Sequence, residues 1–180
     1  MRRLGATFLV LASLLAALPA AAQGDHRRLS QQISARFDEP ARVERADRHG
    51  AITLIRAEFT TRANSNEQYL LMDRAGTLLM VAAEAERFEG AVRAALAARN
   101  PEPGFWPATQ ALLPAQPDAD GGRTFRFAMP VTAMCRACET IGVAEVGLSF
   151  DAAGNYRGAR LVRVAPLGPG ERWDRPRRGG

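Results

Sequence analysis

Lysine is absent from this 180-residue chain: all 24 basic residues are arginine. We read that as a coding bias rather than a functional signature. Cysteine and histidine occur twice each. A structural zinc site takes four ligands. Cys135 and Cys138 lie together, but His26 and His49 are remote from them, so no metal site is expected. Two histidines also leave few choices for a general base near neutral pH. His26 falls near the N-terminus, and His49 precedes Gly50 at a loop-to-strand junction with no neighbouring nucleophile. Both read as solvated side chains. A hydrolase that uses His49 or a carboxylate in a cleft assembled only by the fold is the weakest reading kept.

Other signatures are missing or incomplete. No phosphate-cradling glycine loop or dinucleotide fingerprint appears, and no cofactor is expected. Asp118-Ala119-Asp120-Gly121-Gly122 begins like a calcium loop, but Arg123 and Met129 stand where that loop needs Gly and Glu. It reads as a turn before a strand. Gly147-Leu148-Ser149-Phe150-Asp151 lacks the last glycine of a nucleophile elbow and lies mid-strand. Pairs such as Glu84 with Glu86, or Asp38 with Glu39, have the spacing of solvated helix starts and loops.

The positive charge is not concentrated. Of the formal net charge of +5, two units belong to Arg2 and Arg3, and two to the end of the chain. There Arg172, Arg175, Arg177 and Arg178 outnumber Glu171 and Asp174. Between these ends acids and arginines are interspersed. A protein that tracks phosphates shows a basic stripe with aromatics between, so nucleic acid is not an expected partner.

Long apolar runs are confined to the start. Arg2 and Arg3 precede an apolar stretch from Leu4 to Leu18, then Pro19 and Ala20-Ala21-Ala22. A charged start, a short greasy centre and an A-x-A site make a secretory signal peptide. The stretch falls short of the roughly 20 residues that span a bilayer. Cleavage is expected after Ala22, with no cysteine at the junction to carry a lipid. The expected organisation is a signal peptide over 1–22, a single domain over 23–165 and a mobile Pro/Gly/Arg tail over 166–180. Residues 23 onward should be soluble and periplasmic, or extracellular.

Within 23–165, Leu29, Ile33 and Phe37 recur every four residues, which predicts a short amphipathic helix from Asp25, with Ser30 able to cap a later start. Pro40 ends it, and the charged segment Ala41 to His49 reads as a connector. Ala51 to Thr60 is rich in β-branched residues and predicts a strand. Tyr69 to Met72 and Thr77 to Ala82 flank Asp73-Arg74-Ala75-Gly76, a type I turn with Asp first and Gly last. Ala83 to Arg99 predicts the main helix, with Phe88, Val92 and Leu96 on one face. Glu102 to Gly122 reads as a loop lying on the body, with room for one helical turn from Ala108 to Leu113. Thr124 to Pro130, Val143 to Asp151 and Asn155 to Ala165 predict a meander, and Asp151-Ala152-Ala153-Gly154 repeats the turn type. The expected fold is α+β: an antiparallel sheet, in the order helix-βββ-helix-βββ, packed on the helix 83–99.

Cys135-Arg136-Ala137-Cys138 is the one sharp motif. A thioredoxin-like site needs its first cysteine at a helix N-terminus, yet a strand pattern follows this one. Haem attachment needs histidine directly after the second cysteine, and Glu139 is there. The leading reading is a structural disulfide across a hairpin loop, formed in an oxidising compartment. Chain-entropy arguments give so small a loop only about 2 kcal/mol. The alternative is a thiol–disulfide redox pair in which Arg136 favours the thiolate. The expected function is that of a small exported binding or accessory protein, more readily non-catalytic than an enzyme. Its partner would be a periplasmic protein, an envelope component or a small ligand. The residues expected to meet it are Phe105, Trp106, Arg136, Glu139 and Thr140.

Overall fold

The element with the most demanding sequence is the strand Ile52–Phe59, where almost every residue is buried. Alternation sends Ile52 and Leu54 to one face and Ile55, Ala57 and Phe59 to the other. A strand apolar on both faces needs a packed layer on each side, and both layers are present. The computed structural model describes residues 18–168 and 170–173, with side chains from residue 24 onward. Its order is α1 (Leu18–Phe37), β1 (Ala41–His49), β2 (Ile52–Phe59), β3 (Glu67–Met72), β4 (Leu78–Met80), α2 (Val81–Glu86) and α3 (Glu89–Leu96), followed by β5 (Gly104–Phe105), β6 (Ala111–Pro117), β7 (Arg123–Thr132), β8 (Thr140–Phe150) and β9 (Tyr156–Pro166). Most of the signal peptide expected over 1–22 and the end of the tail lie outside the described residues.

The class is α+β with antiparallel pairing throughout. There are two sheets rather than one: β1-β2-β3-β4, and β5-β7-β8-β9 with β6 also on β7. The first core lies between the sheets and joins Ile52, Leu54 and Leu71 to Val81, Ala85, Val92 and Leu96 of the short helices and to the inner faces of β7 and β8. Those inner faces pair in register, Phe125 with Leu148, Phe127 with Val146 and Met129 with Ala144. Each such burial stabilises by about 1.5–3 kcal/mol. The second core lies on the opposite face of the first sheet, where Leu29 and Ile33 of α1 meet Val43, Ile55, Ala57, Phe59 and Leu70.

Four sequence expectations need correction. Ala41 to His49 is a strand: β1 forms the edge of its sheet, and its charges are used in ion pairs such as Arg42 with Glu58 at 2.6 Å and Arg56 with Glu44 at 2.9 Å. A bulge between Val43 and Arg45 breaks the alternation that would have revealed it. The main helix expected over 83–99 is two short ones. The chain turns at Arg87 and Phe88, where Phe88 has φ −101° and ψ 5°, and the apolar stripe continues across the break. The segment 102–122 contains β5 and β6 rather than a helical turn. Ser30 does not cap a helix; its hydroxyl donates to His26 O at 2.8 Å and accepts from Val43 N at 2.9 Å.

Three hairpins share one turn. Asp73, Asp118 and Asp151 each accept at their carbonyl from the glycine three residues on, at 3.0, 3.1 and 2.9 Å. Gly76, Gly121 and Gly154 have φ of 83°, 81° and 88°, the left-handed region glycine favours. Two of these turns touch: Arg74 N donates to Gly154 O at 3.0 Å. That bond pins the β3–β4 turn of one sheet to the β8–β9 turn of the other.

Candidate functional site

The disulfide Cys135–Cys138 is formed, with Cα atoms 5.1 Å apart. It sits in the loop between β7 and β8, closed below by Ala133 N donating to Glu139 O at 2.9 Å and within by Cys138 N donating to Cys135 O at 3.0 Å. Cys135 is exposed, and Met134 beside it has φ 102° and is 62% exposed. Two side-chain bonds fasten the loop to the segment before β6. Trp106 Nε1 donates to Thr132 Oγ1 at 2.8 Å, and Arg136 Nη2 donates to Thr109 Oγ1 at 3.2 Å. Gly104 packs so closely that a Cβ there would lie 2.4 Å from Met134 O.

The five residues expected to contact a partner are thereby placed. Trp106, Arg136 and Glu139 reach the surface around the disulfide, and Thr140 is half-buried at the start of β8. Phe105 is 6% exposed and belongs to the core between the sheets, so its ring has almost no surface to offer.

A second site was not visible in the sequence. Strands β1 and β6 are the free edges of their two sheets on one side of the molecule, and between them opens a cleft of about 810 Å³. That lies in the upper part of the roughly 300–1,000 Å³ range of small-molecule sites. Its lining comes from α1 (Asp25, His26, Arg28 and Leu29), the end of β1 (Arg45 to His49), β2, β3, β6 and Phe125 of β7. Cross-strand pairing of His49 with Ile52 and of Asp47 with Leu54 puts those two polar side chains on the face turned to the second sheet. Arg48, opposite Thr53, lies on the α1 side.

The polar groups of β1 are held by arginines. Asp47 Oδ2 is 2.7 Å from Arg45 Nε. His49 Nδ1 is 3.1 Å from Arg123 Nη1, and its ring stands edge-on to Phe125 at 5.2 Å between centroids. A guanidinium only donates, so Nδ1 is the acceptor in this contact. Aspartate and histidine thus each face an arginine rather than each other. Arg28 and Arg48 are exposed at the cleft and have no ion-pair partner among the described residues.

The carboxylates of the calcium-like segment are occupied by the chain itself. Asp118 accepts from Thr124 Oγ1 at 3.1 Å, and Asp120 pairs with Arg157. The hydrogen bond from Arg157 holds the Asp120 carboxyl below the usual carboxylate range. Among the described residues no group of three or more His, Cys, Asp or Glu side chains is placed to hold a metal ion, and no helix is long and apolar enough to cross a membrane.

The chain matches no protein-family model, and no curated protein or solved structure is significantly similar to it.

Proposed function

We propose that this is an exported, non-catalytic binding protein whose ligand or partner occupies the cleft between β1 and β6. The observation that carries the reading is the cleft of about 810 Å³ itself, lined by polar side chains of α1 and β1 together with apolar ones of α1, β2, β3, β6 and β7. Polar groups already satisfied by arginines suit recognition better than proton transfer, which needs a base free to exchange its proton. In this reading the disulfide braces the β7–β8 loop, and residues 1–22 direct the chain to the periplasm.

The test has two arms. N-terminal sequencing of chain recovered from the envelope should begin at Gln23, and an uncleaved cytosolic chain would overturn the export half. Native mass spectrometry of that material should find a bound species that is lost when Leu113→Trp fills the cleft. Turnover of an envelope substrate that disappears in His49→Ala would instead establish an enzyme.

One observation favours a second reading, thiol–disulfide exchange: Cys135 and Arg136 are both exposed on one loop. That reading expects Cys138→Ser to trap a mixed disulfide with a partner. A very negative reduction potential with nothing trapped would leave the pair structural.

A further inference from the structure

The cleft carries apolar side chains on both faces of the first sheet. Leu54, Leu112 and Phe125 belong to the core between the sheets, whereas Leu29, Ala46 and Met72 belong to the α1 side. Leu113 of β6 also lines the cleft. On that α1 side, where Arg48 is in register with Thr53 and Met72, stand Arg28 and Arg48 without ion-pair partners among the described residues. Asp47 is neutralised by Arg45 at 2.7 Å, which leaves Asp25 as the one other carboxylate of the lining. Arg123 adds a further cation behind His49. Resting on the reading of this cleft as a binding site, we propose that its ligand is a single anionic amphiphile: an acyl chain ending in a carboxylate or phosphate. The chain lies along the apolar lining that begins at Leu29, Ala46 and Met72, and the anion meets Arg48 and Arg28 beside them.

The division of labour follows from the chemistry of the two parts. Apolar burial is favourable whatever the head group, so the chain supplies affinity. Guanidinium contacts to a carboxylate or phosphate are directional and charge-assisted, so the arginines choose the head and fix which end enters.

An extended peptide adding to a sheet edge is the competing occupant, and the edges do not favour it. On β6, Pro114 has no N–H to give, and a bulge between Leu113 and Gln116 distorts the strand. On β1, a bulge between Val43 and Arg45 distorts the edge where its cleft-lining part begins, and the N–H groups of Ala41 and Val43 before it are taken at 2.9 Å by Ser34 and Ser30 of α1. An acyl chain needs no backbone ladder.

The experiment is calorimetric titration of the purified full chain with dodecanoate, dodecyl phosphate, dodecyltrimethylammonium and acetate, each below its micelle concentration. The expected result is one site for the two anionic amphiphiles, at least tenfold weaker binding of the cationic one, and none of acetate. The double variant Arg28→Gln, Arg48→Gln should lose about tenfold for dodecanoate and leave the cationic amphiphile unchanged. Leu113→Asn should weaken both chains, with circular dichroism verifying the fold. Equal binding of the anionic and cationic chains, or many sites insensitive to Leu113→Asn, overturns the proposal. So does retention on vesicles of anionic phospholipid without dodecanoate binding, which would make the basic rim a membrane contact. A peptide retained in the native mass spectrum, with no amphiphile bound, sinks this ligand class yet leaves the binding reading standing.

Discussion

Gly76 and Gly154 occupy the same place in two turns of the same sequence type, with φ of 83° and 88°. Their surroundings differ. A Cβ on Gly76 would meet nothing within 4 Å, whereas one on Gly154 would lie 2.8 Å from Ala51 Cβ. Gly76→Ala should therefore cost only the left-handed strain, about 1–2 kcal/mol. Gly154→Ala adds a collision at the point where the two sheets are pinned, for about 1–3 kcal/mol more. Urea unfolding of the two variants checks this, and equal losses would mean that Ala51 gives way to the added methyl without cost. The repeat of this tetrapeptide was legible in the sequence as turn chemistry. That two of the turns touch was not, because a side-chain pattern says nothing about which hairpin ends meet.

Among the elements, β1 depends most on its neighbour. As an edge strand it offers unpaired N–H groups, and the hydroxyls of Ser34 and Ser30 accept from Ala41 N and Val43 N, both at 2.9 Å. Ser30→Ala and Ser34→Ala should each cost about 1 kcal/mol. Amide hydrogen exchange at residues 41 and 43 should speed up while protection in β7 and β8 stays unchanged; a uniform change across the chain would refute a local cap. The same strand explains where the sequence was hard to read. β-branched residues mark β2, alternation marks β7 and β8, and turn chemistry marks the turn between β8 and β9; all fall where these predict. β1 was read as a connector because its outward charges and its bulge erase the two-residue period. β6 was read as loop because Pro114 and Pro117 lie within it. The split between α2 and α3 leaves no trace in the spacing of Val81, Ala85, Phe88, Val92 and Leu96. The cleft is hidden for both reasons, since β1 and β6 are its sides, and only His26 and His49 among its lining residues carry a functional signal in the sequence.

For the molecule as a whole, acid should be the sensitive condition. Glu145 of β8 is 2% exposed and is joined to Arg126 of β7 and to Arg163 of β9, so one carboxylate ties three strands. Burial pushes its carboxyl up, but the hydrogen bonds from Arg126 and Arg163 outweigh burial, and the carboxyl titrates below its ordinary value. Glu39, bonded by Arg62, and Asp151, bonded by Asn155, are lowered too. Folded values below unfolded ones give stability that is complete above the unfolded carboxylate range, about pH 4–4.5. That stability is lost as pH falls through the lower folded values. Denaturation midpoints should hold steady from neutral pH to about 5 and then drop. Glu145→Gln should cost about 2 kcal/mol at neutral pH and flatten the acid side of the curve. The cost is bounded because Arg163 is 66% exposed and returns to water, while Arg126, at 20%, keeps an unpaired charge. A variant whose acid limb matches the parent's would show that this carboxylate does not set the pH response.

The N-terminal half of α1 reaches the cleft at Asp25 and His26, and this has a practical corollary. With no lysine anywhere in the chain, cutting after Ala22 would leave the α-ammonium of Gln23 as the sole primary amine, two residues from that mouth. An amine-directed fluorophore would then tag one known spot, and its emission would serve as a reporter of filling and emptying.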